Sequence, residues 1–71
     1  MDMRAVVAQN VRRYRLAKGM TQEALAEAAG FSQQYLSELE TAKANPTVVT
    51  LYELGQQLDV TPAQLVTPFD V

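Results

Sequence analysis

Apolar side chains at Val7, Val11 and Tyr14 follow the i, i+4, i+7 spacing of a single helix face. This predicts a helix over residues 3–18, ended by Gly19, the residue type that most readily turns left-handed past a helix end. Leu25, Ala26 and Ala29 form the inward face of a second, short helix over 22–29; Thr21 caps it, and Gly30 opens a tight turn that Phe31 plugs from the core side. Ser32 caps a third helix over 33–41, with Leu36 and Leu39 inward and Gln33, Gln34, Ser37 and Glu38 outward. Asn45-Pro46 breaks the pattern, because proline cannot continue a helix and holds the preceding residue extended. Thr47 then caps a fourth helix over 48–58 with Val48, Leu51, Leu54, Gly55 and Leu58 inward, and Thr61-Pro62 opens a brief fifth helix to about Val66, before Pro68. No stretch alternates as a strand would. The pattern predicts one all-α domain over 1–71, a compact five-helix bundle with a short tail at 67–71.

The two middle helices begin alike, Thr21-Gln22 and Ser32-Gln33-Gln34, eleven residues apart around Gly30. A hydroxyl at each N-cap accepts from backbone N–H groups that the first turn leaves unpaired. A glutamine just inside a helix start projects beyond the end, where it both donates and accepts; that suits a phosphate or an adenine edge. This is the pattern of a helix-turn-helix that reads DNA.

Charge complicates that reading. The net charge is −2, which disfavours a polyanion partner, since nonspecific DNA affinity comes largely from neutralised phosphates. The distribution is polarised, however: residues 1–18 carry five cations against Asp2, a balance of +4, and residues 19–71 carry Lys43 against seven acids, a balance of −6. One basic face can still meet DNA, with weak nonspecific binding and more reliance on helix dipoles, amides and pairing of subunits. With neither cysteine nor histidine, disulfides, thiolate metal sites and imidazole catalysis are excluded. No cofactor or small-molecule ligand is implied, and no enzyme chemistry is legible. The longest apolar run is far short of a membrane span and the first residues lack the order of a signal peptide, so a cytoplasmic protein is expected.

The segment TQEALAEAAGFSQQYLSELETAKANP resembles the helix-turn-helix of the Cro and phage-repressor type, the xenobiotic-response-element regulators, with a likeness that spans roughly residues 7–66. It is carried by Gln22, Ala26, Gly30, Leu36, Leu39, Glu40 and Asn45-Pro46. The resemblance implies a lambda-repressor-like bundle that binds a near-palindromic operator in double-stranded DNA as a homodimer, with the third helix in the major groove. It implies base contacts from Gln33, Gln34, Ser37 and Glu38, and a phosphate contact from Gln22, which also braces Gln33. Lys43, Asn45 and Thr47 fall where the family holds the DNA backbone, and Arg15 and Glu40 match a pair that often forms an internal salt bridge. Ala42 stands where glycine is common, which implies a different cap at the exit of the third helix; Glu38 and Thr41 stand where Lys or Arg is common.

The residues themselves leave several roles open. Arg15 is a phosphate ligand, a solvated charge or the partner of Glu40. Glu38 is solvated or accepts from cytosine N4. Arg12 and Arg13, on the outward side of the first helix, meet phosphate or water, and Tyr35 belongs to the core, to the DNA contact or to both. Leu65, Val66, Phe69 and Val71 form an apolar cluster that suggests a subunit interface. The function expected is a small dimeric transcription regulator, a repressor, since the length leaves no room for a ligand-sensing domain. The alternative is a protein-interaction module such as an antiactivator, which keeps the fold without DNA affinity.

Overall fold

The computed structural model describes residues 2–69. Five helices follow one another, α1 (Met3–Ala17), α2 (Gln22–Ala29), α3 (Gln33–Glu40), α4 (Val48–Leu58) and α5 (Pro62–Leu65), and there is no strand among the described residues. Each start is fixed locally. The side chains of Asp2, Thr21, Ser32, Thr47 and Thr61 accept from the backbone N–H of Arg4, Ala24, Tyr35, Thr50 and Gln64 respectively. At α5 the Gln64 side chain returns the bond to the Thr61 N–H, completing a capping box behind Pro62.

Four of the ends share one device. Gly19, Gly30, Ala42 and Asp59 all have positive φ, between 60° and 83°. The N–H of the next residue then reaches back five positions: Met20 to the Arg15 carbonyl, Phe31 to Ala26, Lys43 to Glu38 and Val60 to Gly55. The different cap expected at Ala42 is therefore not found. The exit of α3 keeps the left-handed geometry at φ 63° with an alanine in it, because the paired carbonyls of α3 require that turn.

The core is built from Val7 and Val11 of α1, Leu25, Ala26 and Ala29 of α2, Leu36 and Leu39 of α3, Leu51, Leu54 and Leu58 of α4, and Leu65. Tyr14, Phe31, Tyr35 and Val66 pack against it half-buried. Gly55 lets α4 close on the turn that follows it, since a Cβ there would run into the Val60 carbonyl. Val48, expected inward, is 75% exposed. The buried arc of α4 runs through Thr50, Leu51, Leu54, Gly55 and Leu58, and Val48 sits at its edge on the first residue of the helix.

Asn10 is the polar member of this interior. Its amide, 1% exposed, donates to the carbonyls of Leu65 at 2.9 Å and Thr67 at 2.8 Å, with Gln64 O at 3.3 Å. The Gln64 and Leu65 carbonyls have no partner within so short a helix, Thr67 lies just past its end, and α1 supplies the donor for all three. The same geometry corrects the expected subunit interface. Leu65 is fully buried inside its own chain and so is not free for a partner, whereas Val66 is only half-buried against the core. Phe69 is exposed but lies under the Arg13 guanidinium of its own chain; Val71 lies outside the described residues.

Candidate nucleic-acid interface

Leu36 and Leu39, 0% and 1% exposed, anchor α3 from beneath. The opposite side of the same helix begins with Gln33 and Gln34, both exposed, followed by half-buried Ser37 and Glu38. The rotation of α3 is fixed at both ends. Near its start, the Tyr35 ring meets Phe31 edge-on at 5.4 Å, and its hydroxyl lies 3.3 Å from Thr50 Oγ1, which is 3.1 Å from Thr47 Oγ1. Tyr35 is therefore committed to α4 through its hydroxyl, and this contact sets the start of α4 beside the start of α3.

At the other end of α3, Glu40 receives three donors. Arg15 Nε approaches Oε2 at 2.7 Å, while Arg15 Nη2 and Gln22 Nε2 each approach Oε1 at 3.0 Å. Arg15 Nη1 donates to the Met20 carbonyl at 2.8 Å. Both charged side chains are buried, 9% and 3% exposed, so Arg15 is an internal ion-pair partner. Gln22 does not brace Gln33. Its amide is drawn to the Glu40 carboxylate instead, since an ionised acceptor makes the stronger bond.

The cations are distributed unevenly around this frame. Arg13, expected at phosphate, is half-buried, with its guanidinium over the Phe69 ring and 5.2 Å from the centre of the Tyr14 ring; its Nη2 is buried without a hydrogen-bond partner among the described residues. The attraction of a cation for ring faces turns it away from solvent. Lys18 pairs with Asp59, tying the end of α1 to the end of α4. Arg12 and Lys43 stay exposed with no carboxylate within ion-pair distance among the described residues, and Asn45 and Thr47 are exposed in the loop and at the start of α4. Among the described residues there is no cluster of acids that could hold a metal ion, and no helix long and apolar enough to cross a membrane.

Asn10 is the residue that sequence pattern missed. It lies three residues after Val7 and four before Tyr14, on the inward stripe, and a lone amide on such a stripe marks a buried hydrogen-bonding demand.

Residues 11–65 match the helix-turn-helix family HTH_3. The chain belongs to this family of DNA-binding transcriptional regulators. An uncharacterized HTH-type transcriptional regulator, y4dJ of Sinorhizobium fredii, is 57% identical over 70 residues, covering 99% of this chain and 91% of that protein. Control protein C.SmaI of Serratia marcescens is 36% identical over 67 residues, 94% of this chain and 80% of its own length. The crystal structure of SinR, the master regulator for biofilm formation, in complex with DNA superposes with a TM-score of 0.81 at 34% identity, covering 86% of this chain and 98% of that one. The fold expected from sequence is that of the family, and the chain is a transcriptional regulator, not an enzyme.

Proposed function

We propose that the chain is a cytoplasmic repressor that binds a near-palindromic operator as a homodimer, with α3 in the major groove. The observation that carries the reading is the exposure of Gln33 and Gln34 at the open end of a helix whose leucines are fully buried. Free amides at that position can pair with an adenine edge, and Ser37 and Glu38, one turn on, supply a hydroxyl and an acceptor for cytosine N4. Gln22, held by Glu40, together with Lys43, Asn45, Thr47 and Arg12, would meet the phosphates. The first turns of α2 and α4 add unpaired N–H groups to that face.

Size supports pairing. The protomer measures 29 × 22 × 19 Å, whereas successive half-sites lie about 34–36 Å apart. One copy therefore reads one half-site, and two related copies read a palindrome. Repression asks least of such a molecule, because occupancy of an operator overlapping a promoter suffices.

The test is selection of duplexes from a random library, followed by a panel of single-base changes. Gln33→Ala should flatten the preference at one base pair per half-site, a discrimination of about 1–3 kcal/mol in the parent. Equal affinities across the panel for parent and variant alike would refute the assignment. The acidic balance favours a second reading, a protein-interaction module; failure to retain any duplex at low salt would support it.

A further inference from the structure

Three hydroxyls stand in line between α3 and the start of α4. Tyr35 Oη lies 3.3 Å from Thr50 Oγ1, and Thr50 Oγ1 lies 3.1 Å from Thr47 Oγ1, which also accepts the Thr50 backbone N–H at 3.0 Å. Thr50, in the middle, is buried at 8% exposure. Tyr35 is half-buried, and Thr47 alone of the three is exposed.

Each link in such a line needs one proton, and each hydroxyl has one proton to give and two lone pairs to receive with. Two links therefore use two of the three protons, and their direction decides which one is left over. If Tyr35 and Thr47 both donated to Thr50, the Thr50 proton would be buried without an acceptor, which is costly. The line therefore runs one way, and successive bonds of one sense strengthen each other. Run from Thr47 towards Tyr35, it would leave over the phenolic proton, for which no acceptor lies among the described residues. Run from Tyr35 towards Thr47, it begins at the phenol, a stronger acid than an aliphatic alcohol and so the better donor. Thr47 then has both lone pairs filled, by the Thr50 O–H and N–H, and the proton left over is its own.

We propose that Tyr35 and Thr50 are positioning residues of the DNA interface: they occupy the acceptor sites of Thr47, so that its exposed hydroxyl is presented outward as a donor only. A phosphate oxygen, which can only accept, is the partner that this form fits. The inference rests on the operator reading above and deepens it. Tyr35 belongs to α3 and Thr47 caps α4, so the line joins the helix proposed to read bases to a residue proposed to hold the backbone. A rotation of α3 that withdraws the phenol breaks the line and lets the Thr47 hydroxyl turn inward. Grip on the backbone is thereby tied to the correct seating of α3.

The experiment uses the full chain and a duplex selected with the parent protein, in which each phosphate in turn is replaced by a neutral methylphosphonate. Tyr35→Phe keeps the ring against Phe31 and removes only the hydroxyl; Thr50→Val keeps the shape and removes the middle link, whereas Thr50→Ser keeps the link. Tyr35→Phe and Thr50→Val should each bind the intact duplex about 3–10-fold more weakly per half-site, the scale of one hydrogen bond. Both should also lose the parent's sensitivity to methylphosphonate at the same single phosphate of each half-site. The other phosphates and the base preferences should remain as in the parent, and Thr50→Ser should behave as the parent does. Variants that keep the parent's sensitivity at every phosphate overturn the proposal. So does a loss spread evenly over all phosphates, or a loss of helicity in both variants, which would make the hydroxyls a brace of the fold. If the parent selects no duplex at all, the operator reading falls, and NMR of the hydroxyl protons still decides the line. The Thr50 proton should then exchange slowly and the Thr47 proton fast; a fast Thr50 proton would overturn the line itself.

Discussion

The amide of Gln22 donates to the carboxylate of Glu40 at 3.0 Å, so the first residue of α2 is held by the last residue of α3. The same carboxylate neutralises Arg15 from α1. Three helices therefore meet at one buried anion, and Gln22, proposed above to meet a phosphate, is oriented by it. This gives Glu40 two separable duties, one to the fold and one to the orientation of Gln22.

Removing the anion should be severe. Glu40→Ala leaves Arg15 buried without its counter-charge, a change that costs about 3–5 kcal/mol, out of a stability that for domains is commonly about 5–15 kcal/mol. The variant should be largely unfolded, or melt far below the parent, in urea titration followed by circular dichroism. A variant melting with the parent would show the pair to be solvated.

Asn10→Ala deletes the donor for the last carbonyls of α5 and its tail. Buried acceptors left unpaired cost about 1–3 kcal/mol. The loss should be concentrated where the bonds were, so amide exchange should accelerate first in residues 62–67. Uniform acceleration throughout the chain would mean that Asn10 supports the whole bundle rather than this end.

Ala42 occupies a backbone conformation in which an L side chain is disfavoured by about 1–2 kcal/mol. Ala42→Gly should therefore stabilise the protein by up to ~1 kcal/mol once the extra freedom of glycine in the unfolded chain is deducted. For a domain of this size that corresponds to a rise in Tm of about 4–8 °C. A fall in Tm would show that the turn is not left-handed in solution.

Lys43 and Arg12 are the exposed cations without a carboxylate partner among the described residues, and each neutralised phosphate contributes about −0.9 to the slope of log K against log salt. A dimer using both should show a slope of roughly −3.6, shallow for a DNA-binding protein, and Lys43→Ala should halve it. An unchanged slope would remove Lys43 from the phosphate contacts.

Periodicity and caps make most of the fold legible in the sequence. Leu36 and Leu39 show why: a two-leucine stripe between a serine cap and a turn admits one helix and one inward face. Val48 shows the limit, because a residue in the first turn of a helix obeys the same period whether or not a neighbour covers it. The chemistry was harder to read than the fold. The exposure of Gln33 and Gln34 followed from their place after a cap, but the bond from Gln22 to Glu40 joins residues eighteen apart and depends on how α2 meets α3. The surroundings of Arg13 are hidden from the sequence for a related reason. Its place on the outward side of α1 pointed to solvent or phosphate, and only the return of the tail brings Phe69 beneath it.

Of the six cationic side chains, Arg15 is consumed by Glu40, Lys18 by Asp59 and Arg13 by an aromatic ring. On the proposed reading, a regulator so sparing with its positive charge would be weakly retained by arbitrary chromosomal sequence, where competing sites number about 10⁶–10⁹. Such a protein would not be titrated away by bulk genome, and a small number of molecules per cell would keep a matching site filled.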